Sequence, residues 1–292
     1  MYAKKSLTQH SKQFLEIIAE YDDYWVVYDR NIPGELKNNI VLNAQGMMKI
    51  ANYYQKKYGI EILVDPSPIT IEILAAKITA LLHRVKQEYP RHQKMGFIFI
   101  SMDDSNDLLG HALPMIFERD NTQEHLFFLD TSEFFNTVTG VVKDKICLFQ
   151  QSLQAQHPQL HLWRIFGCRQ LDYSSCYIDA MVMLKDGLRV PSFKLLVENR
   201  VFQKIDNITI FYAPPLLIRT AQIGSFFEKS QVALTDRIDR FNTKKASITV
   251  EAFKRQYDIT VLDPNGNQKN VGLFTIKKGQ RYAALIQKMQ NH

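Results

Sequence analysis

The sequence predicts an α/β (α+β) fold with a small central sheet in its middle third, flanked by N- and C-terminal segments that read as mainly helical. Three observations carry this. Between residues 97 and 166, short apolar runs rich in β-formers bracket one long helical stretch. In the outer thirds most apolar residues recur at helical spacing. The 292 residues are 46% hydrophobic and 23% charged, a globular balance with enough apolar side chains for a sizeable core.

The elements follow in order. Leu7, Phe14, Ile17, Ile18 and Tyr21 are spaced as on a helix over 7–25, and Pro33-Gly34 breaks the pattern. A second helix is expected from Asn43, its cap, to Tyr58, with Gly59 as the stop. Glu61–Val64 reads as a short strand and Asp65–Pro68 as a turn. Ile69–Tyr89 has helical spacing and ends before Pro90. Phe97–Ser101, His111–Phe117 and Leu126–Asp130 read as strands, and the turn Asp120–Gln123 makes the last two an antiparallel pair. A helix over 132–156 stops at His157-Pro158, and Leu160–Phe166 returns as a strand. The next helix opens at Cys176, with Ser174 or Ser175 as cap, and runs to about Asp186 with Gly187 as its stop. Asn207–Tyr212 reads as a strand, and helices are expected over 216–229 and 231–242. Asp258–Leu262 and Val271–Ile276 flank Asn265-Gly266, a hairpin signal.

Composition excludes several function classes. No apolar run reaches the roughly 18 residues of a membrane span, so no transmembrane segment is expected. The N-terminus has no apolar core of a cleavable signal peptide, and export by a route that reads no such signal stays open. Cys147, Cys168 and Cys176 cannot build a disulfide framework. The net charge of +6 admits an anionic ligand, but no basic block interleaved with aromatics points to nucleic acid. Metal ligation is not expected: Pro158 spoils the helix that the His157/His161 spacing would need, and neither acidic pair has EF-hand spacing. There is no glycine-rich phosphate loop and no GxSxG.

Gln170-Leu-Asp-Tyr-Ser-Ser-Cys176, between a strand and a helix, is the most informative stretch. His111, Asp130, Gln170 and Cys176 follow in the order base, acid, amide and thiol. These are the parts of a cysteine acyl-transfer site. A thiol in the first turn of a helix lies where the helix dipole favours negative charge. His111 can take its proton, Asp130 can orient the ring, and the Gln170 amide can donate to an oxyanion. Plainer alternatives exist for each: a buried cysteine, a strand histidine, a carboxylate capping the next helix and an exposed loop amide. Cys147 and Cys168 lack a polar capping environment and read as structural.

This order resembles the clan CE cysteine peptidases, and more closely the YopJ family of bacterial effector acetyltransferases. The likeness rests on the interval of 19 positions from His111 to Asp130, on the Gln170–Cys176 stretch, and on Met181–Asp186 in the helix behind it. Asn43–Leu63 resembles the family's helix-then-strand lead-in, and Pro214–Thr220 and Thr275–Arg281 resemble weakened versions of its C-terminal motifs. The resemblance implies a clan CE cysteine-protease-like catalytic core over 93–190, an N-terminal flanking region over 1–92 and a C-terminal regulatory region over 191–292. It also implies a ping-pong acetyltransferase with a Cys-His-Asp triad. Cys176 would take acetyl from acetyl-CoA and pass it to a Ser, Thr or Lys of a host protein, after delivery into the host cytoplasm by a specialised secretion system. Inositol hexakisphosphate (IP6) would activate it, bound by Arg219, Arg237, Arg240, Lys277, Lys278 and Arg281. The chain departs from the family pattern in Asp130 for the usual glutamate, Ser175 for an acidic residue and Tyr177 for glycine. Two other readings share these residues: a peptidase or isopeptidase for ubiquitin or a ubiquitin-like protein, and a catalytically weak effector that binds a host protein.

Overall fold

Ile17 and Ala19 are half-buried while Glu16, Ile18 and Glu20 are exposed, an alternation of period two that makes Leu15–Glu20 a strand, β1. The expected helix over 7–25 is therefore corrected within the described residues. A bend at Asp22-Asp23 returns the chain as β2 (Tyr24–Asp29), which pairs antiparallel with β1 and with β3 (Asn38–Leu42). Apolar residues at 17, 18 and 21 fit a helix by spacing, but pairing with β2 decides between the two periods. The computed structural model describes residues 15–29, 38–90, 93–101, 111–120, 123–129, 141–166, 176–205, 208–221, 230–239, 247–262 and 268–291.

Helix α1 (Ala44–Tyr58) has the expected ends. The Asn43 side chain accepts from the Gly46 N–H at 3.0 Å, and Gly59 closes the helix in the left-handed conformation, φ 67°. Strand β4 (Ile62–Ile69) runs on through Asp65–Pro68, where a turn was expected. Its register against β5 (Lys94–Ser101) slips between Val64 and Pro68, and β4 is an edge strand, which is where prolines are tolerated. Helix α2 (Ile71–Glu88) lies between them in sequence.

The remaining core elements are β6 (His111–Arg119), β7 (Glu124–Phe128), α3 (Val141–Gln156), β8 (Leu160–Phe166), α4 (Cys176–Arg189), α5 (Phe193–Glu198), β9 (Val201–Ile205) and β10 (Ile208–Tyr212). Seven strands form one mixed sheet in the order β4-β5-β6-β7-β8-β10-β9. It is larger than the small sheet expected, taking one strand from before residue 93 and two from after residue 190. Strands β6 and β7 pair antiparallel, as their turn required, and β7, β8 and β10 run parallel.

Both faces of the sheet are covered, so its inner strands are apolar on both sides. Phe97, Phe99, Leu113, Met115 and Phe117 point to a layer formed by α2 and α3. Ile98, Ile100, Ala112 and Ile116 point to α4, whose residues Cys176–Leu188 are all buried. Helix α4 continues past Gly187 to Arg189, so this glycine is not a stop. It permits close approach instead. A Cβ at Gly187 would lie 2.5 Å from Ile116 Cδ1 and 3.0 Å from the Phe193 ring. Gly187→Val should cost about 1–3 kcal/mol through overpacking, more than the few tenths of a kcal/mol that better helix propensity returns. The urea unfolding midpoint measures this, and an unchanged midpoint would show that the contact relaxes freely.

Within the described residues the C-terminal part departs from the helices expected over 216–229 and 231–242: Pro215–Thr220 is a 3-10 turn, and Arg237–Asp239 is a strand, β11, paired with β12 (Ser247–Thr249). Residues 222–229 lie outside the described residues. Pro214-Pro215 opens the 3-10 turn, and cross-strand pairing captures Arg237–Asp239. Helix α6 (Val250–Tyr257) follows, then the expected hairpin of β13 (Asp258–Leu262) and β14 (Gln268–Gly272). Phe274–Ile276, expected as strand, instead opens α7 (Phe274–Gln290), which packs on β3, α1 and α4.

Candidate functional site

Polar contacts at the C-terminal end of α4 set its direction across the sheet. Lys94 Nζ donates to the Val190 carbonyl. The Glu118 carboxylate accepts from the Ser192 hydroxyl (2.5 Å) and from the backbone N–H groups of Phe193 (2.7 Å) and Lys194 (3.1 Å). Lys94 and Glu118 are register partners at one end of β5 and β6. A 14-residue helix spans about 21 Å. Packed along β6, it returns Cys176 to the opposite end of the sheet, where β6 begins at His111.

Cys176 is thus the first described residue of a buried helix, a free thiol with 4% exposure, at the end of the sheet that holds half-buried His111. Strands β7 and β8 run opposite to β6 and so finish at this end. Leu129 and Phe166 are the last described residues before Asp130 and Gln170, which themselves lie outside the described residues, as do Ser174 and Ser175. The sheet therefore brings the elements carrying His111 and Cys176 to one end.

A second cluster forms on the α4 side of the sheet, from residues distant in sequence. Lys185 and Asp186 near the end of α4 are buried, and Lys185 Nζ lies 2.8 Å from the Asp186 carboxylate. Arg219, in the 3-10 turn, is 8% exposed and donates to the same carboxylate. Lys278 on α7 sits 4.6 Å from the centre of the Tyr282 ring. Arg189 and Lys57 approach the Tyr58 ring, at 4.4 Å and 5.5 Å from its centre. Buried Tyr54 and Tyr282 join their hydroxyls and tie α1 to α7 beside these cations.

The electrostatics of the cluster call for an anion. Burial lowers the Lys278 ammonium to about 7, and Lys185, Arg281, Arg219 and Lys57 push it in the same direction. Burial also pushes Lys185 well down, with Arg219 and Arg189 adding to it. Lys185 and Arg219 contact the Asp186 carboxylate, and Lys57, Arg189, Lys278 and Arg281 act on the same lysines, an excess of positive charge that a polyanion would neutralise.

The predicted ligand residues divide here. Arg219, Lys278 and Arg281 belong to the cluster. Arg237 is exposed, with its Nε donating to Ser247 Oγ at 2.7 Å, and exposed Lys277 lies over the Tyr257 ring at 5.5 Å. Arg240 lies outside the described residues. Sequence reasoning missed Lys57, Lys185 and Arg189. The available signal was three charged residues, Lys185, Asp186 and Arg189, closing a helix whose only other charged residue is Asp179.

Solved structures share this architecture. Over 82% of this chain and 86% of that one, the structure of AvrA with IP6 and CoA superposes with a TM-score of 0.58 at 13% identity. That of HopZ1a in complex with IP6 and CoA gives 0.54 at 8% identity, over 82% and 83% of the two chains. Both are YopJ-family effectors. The chain has the YopJ-family fold. The clan CE-like α/β core expected from the Gln170–Cys176 stretch is thereby borne out, although no family model matches the sequence and no curated protein matches it. Among the described residues, no helix is long and apolar enough to cross a membrane.

Proposed function

We propose that this chain is an effector acyltransferase that moves acetyl from acetyl-CoA through a Cys176 thioester to Ser, Thr or Lys of a host protein, with IP6 as activator. The observation that carries the reading is the pairing of two sites in one YopJ-like fold. A cysteine at the first described position of α4 shares the sheet end where His111 lies, and a basic cluster built around buried Lys185 and Arg219 stands behind the same helix. AvrA and HopZ1a, with this fold, were crystallised with IP6 and CoA. In this reading residues 93–190 form the catalytic core, and the regions 1–92 and 191–292 flank and regulate it. Delivery by a specialised secretion system into the host cytoplasm belongs to the same proposal.

The chemistry needs little beyond the chain's own groups. His111 takes the thiol proton as Cys176 sulfur attacks the acetyl carbonyl, and CoA leaves as its thiol. Asp130 holds the His111 ring, and Gln170 donates to the oxyanion together with backbone N–H groups. The acceptor hydroxyl or amine then attacks the thioester, giving its proton to His111, which passes it to the Cys176 sulfur as the carbon–sulfur bond breaks. We assign the polyphosphate to Lys57, Lys185, Arg189, Arg219, Lys278 and Arg281, with charge-assisted hydrogen bonds to its oxygens. Arg237, Arg240 and Lys277 remain candidates for its outer contacts.

Intact mass of the purified protein after incubation with acetyl-CoA, with and without IP6, tests the function. One added acetyl group, enhanced by IP6, is the expected result. Cleavage of a ubiquitin-like substrate with no acetyl uptake would replace the transferase by a peptidase using the same groups. Asp130→Asn should keep the fold and lower turnover by orders of magnitude, because an amide favours the wrong imidazole tautomer. Equal rates in the variant and the parent would reduce Asp130 to a helix cap.

A further inference from the structure

We propose that the basic cluster takes up a proton as it binds its polyphosphate, so that occupancy weakens as the pH rises. The inference rests on the anion-site reading above and adds a regulatory input to it. Its basis is the placement of Lys278, which every packed element surrounds with charge or phenol. Helix α4 presents Lys185, Asp186 and Arg189, and the 3-10 turn presents Arg219. Helix α1 presents Lys57 with Tyr54 and Tyr58, and α7 itself adds Arg281 and Tyr282. The phenols cannot offset the cations, because burial raises both Tyr54 and Tyr282 and keeps them neutral. Asp186 is already engaged by Lys185 and Arg219.

The empty cluster therefore sheds charge at its lysines, Lys185 and Lys278, both held below the usual lysine range first by burial and then by the neighbouring cations. Lys278 loses its proton near pH 7 in the empty folded protein, well below its ordinary value of 10.5. A polyanion placed among these groups reverses the repulsion and restores the ammonium, with the proton drawn from the buffer. Linkage fixes the sign. Below about pH 7 Lys278 is charged before and after binding and takes up no proton. Above it, each binding event takes up a proton, and affinity falls with rising pH at a slope approaching tenfold per pH unit.

The test uses inositol hexakissulfate, whose groups stay ionised throughout and cannot exchange protons themselves. Calorimetric titration of the full chain at low salt, in two buffers of different ionisation enthalpy, counts the protons taken up. Uptake of at least about one proton per anion at pH about 8.5, and less at pH about 6, is expected. Lys278→Arg, which stays charged, should bind with about one proton less taken up at the higher pH and with a shallower pH dependence. Tight binding by the parent without proton uptake at the higher pH would overturn the inference and leave the anion site standing. Failure of hexakissulfate to bind at low salt would overturn both.

Discussion

Cys176→Ala is expected to abolish acetyl uptake from acetyl-CoA altogether, while Cys147→Ser and Cys168→Ser keep most of it. In the proposed mechanism the alanine removes the atom that forms the thioester, so the loss is of the covalent intermediate itself. Loss of a nucleophile that works with a base and an oxyanion donor costs several orders of magnitude, because the partners have nothing left to activate. Cys176 is buried and begins a helix whose next twelve residues are buried too. Alanine is small and helix-favouring, so the variant should fold, and a circular dichroism melt matching the parent's would confirm it. The decisive readout is intact mass with acetyl-CoA and IP6. An acetylated Cys176→Ala protein, or loss of acetylation in a folded Cys168→Ser protein, would move the nucleophile elsewhere.

Reversing charge in the basic cluster should separate the regulator from the chemistry. Lys278→Glu with Arg281→Glu removes two cations and adds two anions facing the phosphates. Hydrogen bonds to charged groups are worth about 1.5–3 kcal/mol each, so losing two weakens IP6 binding by about 3–6 kcal/mol, or a factor of a hundred to ten thousand and more. In the parent, IP6 should raise the melting temperature, because a ligand that binds only the native state stabilises it by mass action. That rise should shrink with added salt where the site meets solvent, since screening acts over about 8 Å at physiological ionic strength. The double variant should show no such rise, and its acetylation should fall to the level of the parent without IP6. IP6 binding unchanged in the variant would place the polyphosphate away from α7.

Local signals in the sequence determined many elements directly. Asn43 and Gly59 bracket α1 because a side-chain cap and a left-handed residue act within one turn of the chain. Leu160–Phe166 is β8 because a β-rich apolar run follows the break at Pro158. The order of His111, Asp130, Gln170 and Cys176 led to the fold through its resemblance to the YopJ family, and of the four His111 opens β6 and Cys176 is the first described residue of α4. Even the clan CE-like core was legible in this way, at an identity too low for any family model to match.

Only the tertiary structure decided the rest. Ile17, Ile18 and Tyr21 fit helix and strand alike, and β1 exists because β2 offers it a ladder. Pro66 and Pro68 look like a turn until β4 proves to be an edge, where missing backbone donors do no harm. Gly187 looks like a helix stop until Ile116 and Phe193 close over it. The basic cluster was the least legible feature. Its residues come from α1, α4, the 3-10 turn and α7, and none of the four segments is basic enough by itself to announce a polyanion. Sequence determines where each charge lies along the chain. Folding determines which charges lose their water together, and electrostatic coupling in a buried site depends on distance and burial, neither of which is local in sequence.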